Sequence, residues 1–196
     1  MRNRFYSRSR QLLLSRLHRF RRDIGGVASI EFALVVPVMV LILIGMFELS
    51  QMVSVDRRVR QVASSTADLV ARATALTTAD MDGVLDVVEQ LMKPHDHTVL
   101  RLSVLSVGAS VSNANNTTVC WVRAHKGGVG GHTRGSAYKV PANMLEAGDS
   151  VIVAKVEYAH QPVVFSAFTK STQKLTETFY LKPRYTAEIK YNNLIC

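Results

Sequence analysis

The chain has 196 residues, of which 20% are charged and 47% hydrophobic, and its formal net charge at pH 7 is +9. That charge is unevenly distributed, because residues 1–26 hold eight arginines and a single acid, Asp23. This segment therefore carries +7 and leaves +2 for the rest of the chain. A nucleic-acid-binding face concentrates Lys and Arg on the folded part of a protein, so the distribution argues against nucleic acid as a partner.

Residues 1–26 form a basic segment in which apolar side chains recur between Leu12 and Phe20. Such a pattern is compatible with a short amphipathic helix lying on anionic lipid headgroups. It is equally compatible with a disordered basic tail, and the sequence leaves both open.

Residues 27–53 are the most apolar part of the chain, and the block 27–47 contains one acid, Glu31. A helix rises about 1.5 Å per residue, so roughly 20 such residues cross the hydrocarbon core of a bilayer. We predict a transmembrane helix over residues 27–53. Positive charge next to a span stays in the cytoplasm, so the rest of the chain is expected on the exported side. A removable secretory signal is disfavoured because no Ala-x-Ala-like site follows the apolar run.

Helical periodicity continues beyond this span. Apolar and small residues follow steps of three and four, which predicts a helical stalk with one buried stripe: Val55, Val59, Val62, Thr66, Leu69, Ala73 and Leu76. This stripe packs either on the protein's own globular part or on helices of other subunits. Thr77 and Asp80 then fit a capping box, and a second amphipathic helix is predicted up to Pro94, completing a helical region over residues 54–94.

From Thr98 onwards the hydrophobic period changes to two, which is typical of strands. The clearest alternation lies in residues 98–104 and 151–160, and shorter candidate strands are residues 118–124, 162–168 and 175–181. Residues 113–117 are predicted to be a polar turn, and residues 126–136 a glycine-rich excursion. Since helices come first and strands follow, we predict an α+β fold in which residues 95–196 form an antiparallel sheet domain.

The two cysteines, Cys120 and Cys196, both lie on the side of the chain that is expected to be exported. An oxidising compartment lets disulfides persist, and each cysteine has only one possible partner within the chain. We predict a Cys120–Cys196 bridge, with two free thiols or a bridge between subunits as the alternatives.

No catalytic pattern is recognisable in the sequence. His95 and His97 flank an acid, but the third and fourth ligands of a metal site are missing at any familiar spacing. The glycine-rich segment lacks the Gly-Lys-Ser/Thr ending of a phosphate-binding loop, and no nucleophile signature is present. We therefore expect a protein that is not an enzyme and that uses no metal or cofactor.

Glu31 requires an explanation, because an acid inside a membrane span costs about 2.5 to 3.5 kcal/mol on insertion scales. It is expected either to have a partner and a task or to lie at the level of the cytoplasmic headgroups, where the cost is small.

The segment Gly-Gly-Val-Ala-Ser-Ile-Glu-Phe-Ala-Leu-Val-Val-Pro-Val at residues 25–38 resembles the opening of TadE-like proteins. These are pseudopilins of the Tad (tight adherence) apparatus, which assembles Flp pili. The ending Leu-Lys-Pro-Arg at residues 181–184 is similar to the strand that closes on a Pro-Arg pair in the same family.

This resemblance implies a processing step and a structural role. A prepilin peptidase would cut after Gly26, so that Val27 becomes the N-terminus and Glu31 the fifth residue, where it pairs with the amine of a neighbouring subunit. An unprocessed anchor is the alternative. The implied protein is a single-pass component of the bacterial inner membrane, with a cytoplasmic N-terminus and a periplasmic domain, required for pilus assembly and hence for cell adhesion. Its implied partners are other Tad pseudopilins, platform proteins and the lipid bilayer. A membrane-tethered periplasmic binding or sensing module is the second interpretation.

Overall fold

The computed structural model describes residues 26–162, 164 and 172–196. Within these ranges a long helix comes first, and a short helix precedes all but one of the strands. Their bounds are α1 Val27–Ala71, β1 Ala75–Leu76, α2 Thr78–Gln90, β2 Leu100–Ser110, β3 Asn113–His125, β4 Ser150–His160, β5 Gln173–Leu181 and β6 Lys190–Tyr191. The possible helix at residues 12–20 and nearly all of the candidate strand at 162–168 lie outside the described residues.

The chain divides into two compact units, one that ends at Phe47 and one that spans Glu48–Cys196. The described part of the first unit is the apolar beginning of α1. Its side chains are largely exposed, as for Phe32 (71%) and Leu43 (70%). Helix α1 is long and apolar enough to be a candidate membrane span, and the most apolar window of α1 is not buried at all.

The second unit is built on a four-stranded sheet with the order β3-β2-β4-β5. All three pairings are antiparallel, as in the pairs Leu105↔Val122 and Leu105↔Val153 across the two central strands. The predicted α+β fold with an antiparallel sheet is therefore confirmed. A separate two-stranded pair, β1 with β6, is parallel and was not expected from the sequence.

Helix α1 covers one face of the sheet through the stripe predicted from its periodicity. Val55, Val59, Val62 and Thr66 are at most 1% exposed, and the three valines belong to the main hydrophobic cluster together with residues of β2, β3 and β4. The stripe thus packs on the protein's own domain. Its predicted end was wrong, because α1 stops at Ala71 and Leu69 is 41% exposed.

Helix α2 packs beside α1 on the same cluster, through Met81, Leu85 and Val88. The capping box is confirmed, since the Thr77 side chain accepts from the Asp80 backbone N–H and the Asp80 carboxylate accepts from the Thr77 N–H. These bonds satisfy two amides at the start of the helix. The Thr77 hydroxyl also donates to the Asp80 carboxylate, and this bond, together with the one from the Thr77 N–H, lowers the pKa of Asp80.

The opposite face of the sheet carries a second cluster, in which Leu105, Val107 and Val153 pack against Tyr138 and Leu145 of the segment between β3 and β4. The polar turn predicted at residues 113–117 was wrong, because these residues begin β3 and pair with β2, as in Ala109↔Thr117. Asparagine disfavours strands only weakly, and a neighbouring strand that supplies hydrogen bonds overrides this preference.

Candidate functional site

The N-terminal signature lies at the start of α1. Gly26 directly precedes the helix, Val27 is its first residue, and a Cβ built on Gly26 has no atom of the described chain within 4 Å. Among the described residues, nothing crowds the Cβ position of Gly26. Glu31 lies in the second turn of the helix and is exposed.

The helix surface around Glu31 is apolar. Exposed side chains on this part of α1 include Ile30 (65%), Leu34 (70%) and Leu41 (64%). Such a surface is unfavourable in water and is satisfied by lipid or by other apolar helices, as expected for a candidate membrane helix. An acid in this setting gains from a cationic partner.

The second unit begins with a buried acid that the sequence analysis did not single out. Glu48 is 8% exposed, and its carboxylate accepts a hydrogen bond from the backbone N–H of Val164. The two residues are 116 positions apart, so no local sequence pattern reveals the contact. The bond fixes the chain beyond β4 to α1, at the point of the helix where the second unit begins.

Cys120 and Cys196 lie at disulfide distance, with their Cα atoms 4.5 Å apart. Gly108 on the neighbouring strand β2 makes room for them. A Cβ built on Gly108 would overlap the Cys196 sulfur and lie 3.1 Å from the Cys120 sulfur. The chain thus places its smallest residue where the two sulfurs approach the sheet.

The C-terminal segment is also attached to β3 through Trp121. The indole N–H of this buried residue donates to the Ile189 carbonyl oxygen at 2.8 Å, and its ring lies 5.2 Å from that of Tyr191. Two independent anchors, the indole and the cysteine pair, therefore connect β3 to the last residues.

The Pro-Arg ending of the strand motif acts on the end of α1. The backbone N–H of Arg184 donates to the Ala71 carbonyl oxygen at 2.9 Å, which is one of the carbonyls that a helix leaves without an internal partner. The Arg184 guanidinium forms an ion pair with Asp68 in the last turn of the same helix. The motif thus caps α1.

Two clusters of titratable groups flank the sheet. The carboxylate of Glu89 on α2 lies 2.6 Å from His125 Nε2 and 2.6 Å from Lys126 Nζ. Burial alone would raise the pKa of Glu89, but the hydrogen bonds and charges of Lys126 and His125 lower it below its usual value. This cluster ties the end of α2 to the end of β3.

The second cluster lies on the other face of the sheet. Lys155 Nζ is 3.1 Å from His132 Nε2 and 5.1 Å from the centre of the Tyr138 ring. Burial lowers the pKa of both Lys155 and His132, and the charge of Lys155 lowers that of His132 further. The hydrogen bond holds the glycine-rich segment onto the sheet.

Neither cluster has the composition of a metal site. Among residues 26–162, 164 and 172–196, no three His, Cys, Asp or Glu side chains lie close enough together to hold a metal ion. His97 opens a short 3-10 helix, for which Asp96 is the N-terminal cap.

The molecule is thus of the class in which one exposed apolar helix, a candidate membrane anchor, leads into an α+β domain. Residues 26–68 match the model of the family described as TadE-like protein. The match begins at Gly26 and includes Glu31, and it confirms the resemblance read from the N-terminal residues. It relates the chain to the Tad pilus. No curated protein and no solved structure is significantly similar to the chain.

Proposed function

We propose that this protein is a structural, pilin-like subunit required for the assembly of a Tad pilus. The observation that carries the proposal is the family match over residues 26–68. The matched segment contains both the exposed apolar helix and an acid, Glu31, five positions after Gly26. In this role the chain is not an enzyme. It crosses the inner membrane once, leaves its basic segment in the cytoplasm and presents the sheet domain in the periplasm.

Processing after Gly26 accounts for the position of Glu31. Cleavage there gives Val27 a free ammonium group, and an incoming subunit offers that group to the Glu31 carboxylate of its neighbour. Charges buried in a low-dielectric region are tolerated only when paired, so the pair orders subunits along the membrane helices. The partners are other Tad pseudopilins and the membrane platform.

Mass spectrometry of the N-terminus tests the processing step. The full-length protein is extracted from membranes of cells with and without the prepilin peptidase. A chain that starts at Val27 only when the peptidase is present supports the proposal. A Met1 end in both samples contradicts processing and leaves an unprocessed anchor.

The role of Glu31 is tested separately by counting pili on cells that carry Glu31→Gln. Loss of pili is expected because the amide cannot balance the ammonium group. Glu146→Gln is the matched control, since Glu146 is an exposed acid of the sheet domain. Normal piliation with Glu31→Gln, at normal protein levels, would exclude the pairing.

A further inference from the structure

Strand β5 forms one edge of the four-stranded sheet. In the described part of the chain, its backbone forms hydrogen bonds only with β4. The other edge, β3, is partly covered: the Val119 N–H donates to Ser136 and the Tyr138 N–H to Thr117. An open edge is a template for an added strand.

A groove of about 420 Å³ runs between this edge and helix α1. Phe179 on the strand is 39% exposed and forms an apolar wall, and Ala63 and Ser64 of α1 lie opposite. The charged residues of β5, Lys174 and Glu177, lie in its first five positions, and its end from Thr178 to Leu181 lacks the charge that usually protects an exposed strand edge. The groove thus combines open backbone with apolar surface.

Two arginines of α1 line the groove, and within the part of the chain that the structure describes only one of them has an acidic partner. Arg60 lies 3.1 Å from Asp56 and 3.1 Å from Glu177. Arg57 is exposed, and no carboxylate among the described residues pairs with it. The described residues thus leave one positive charge uncompensated beside the apolar wall.

We propose that the β5 edge binds an extended segment of another polypeptide, in which apolar and acidic side chains alternate on the face turned towards α1. The segment adds to the sheet as a fifth antiparallel or parallel strand, and its main chain satisfies the open edge. Its apolar side chain packs on Phe179, and its carboxylate pairs with Arg57. A second copy does not offer this chemistry from its own open edge, because Glu177, the single acidic residue of β5, already pairs with Arg60.

This binding surface goes beyond the pilus role proposed above and does not depend on it. It is tested with the full-length chain in detergent and with fluorescent heptapeptides. The probe is Thr-Val-Thr-Glu-Thr-Val-Thr, which places valine, glutamate and valine on one face of a strand. One control peptide has lysine in place of glutamate. In the other, proline replaces each of the two threonines next to the glutamate, which prevents strand pairing.

Fluorescence anisotropy is expected to give about tenfold tighter binding of the glutamate peptide than of the lysine peptide, because like charges are strongly disfavoured at an interface. Arg57→Glu is expected to reverse that preference. Lys139→Glu, at an exposed lysine outside the groove, is expected to change nothing. Absence of binding, equal affinity for the two charged peptides, or equal binding of the proline peptide would overturn the proposal.

Discussion

Arg184 and Asp68 are 116 residues apart in the chain, yet their ion pair joins the segment that follows β5 to the last turn of α1. A backbone bond from Arg184 to Ala71 accompanies the pair. The end of the long helix is therefore held by the C-terminal part of the domain.

The side-chain pair is expected to contribute modestly to stability. The two side chains are 49% and 28% exposed, and pairs in contact with solvent contribute about 0.2 to 1 kcal/mol. Arg184→Met should lower the melting temperature by about 2 to 4 °C at most. Thermal unfolding is followed through the fluorescence of Trp121, the only tryptophan in the chain.

A double-mutant cycle with Asp68→Asn separates this pair from the backbone bond, which both substitutions preserve. Asp68 also pairs with Arg72, so Arg72→Met is the matched control. A coupling energy of zero between positions 68 and 184 would contradict the assigned contact.

Gly108→Ala is expected to prevent Cys120 and Cys196 from joining, because the new methyl group occupies the space of the Cys196 sulfur. Intact mass spectrometry should find the wild-type chain oxidised and the variant with two free thiols that react with maleimide. The loss of a bridge of this kind costs about 2 to 5 kcal/mol in small domains.

Gly83→Ala is the matched control for this change. Gly83 lies inside α2, and a Cβ there meets no atom within 4 Å. Because alanine has a higher helix propensity than glycine, this variant should be more stable by about 0.5 to 1 kcal/mol. An oxidised and fully stable Gly108→Ala chain would show that the sulfurs do not lie where the structure places them.

Stability is expected to decrease as the pH falls below about 6.5, the ordinary pKa of histidine. In the folded chain, burial and Lys155 lower the pKa of His132, and burial, Arg58 and His160 lower that of His95. The unfolded chain therefore binds more protons than the folded chain in this pH range. The fraction of unfolded molecules grows as the pH falls. The stabilisation is complete above the unfolded pKa and is lost as the pH passes through the folded pKa.

His132→Gln tests whether His132 contributes to the loss of stability at low pH, because glutamine keeps an acceptor for Lys155 but does not titrate. Urea unfolding of both proteins between pH 8 and pH 5, taken as a range around the histidine pKa, should give a shallower pH dependence for the variant. Identical slopes would exclude His132 as a source of the acid sensitivity.

Local signals made much of this fold predictable, and contacts distant in sequence account for most of what was missed. The stripe of Val55, Val59 and Val62 and the Thr77–Asp80 capping box depend on neighbours within one or two helical turns, and both predictions are confirmed. The roles of Glu48 and Arg184 were not foreseen, because each acts on a residue 116 positions away. The N-terminal signature was recognisable because it lies within one continuous segment.

The orientation in the membrane is expected to follow the arginines of residues 1–26. Alkaline phosphatase fused after Cys196 should be active, because that enzyme matures only outside the cytoplasm, whereas β-galactosidase fused there should be inactive. The same reporters fused after residue 26 should give the reverse result. Active β-galactosidase after Cys196 would place the domain in the cytoplasm.

The central claim is that this chain is a structural component needed to build a Tad pilus. The most direct measurement is the number of pili per cell, counted by electron microscopy, in a strain that lacks only the gene for this protein. We predict that pili are absent and return when the wild-type gene is supplied in trans. A deletion strain with a normal number of pili would contradict the account.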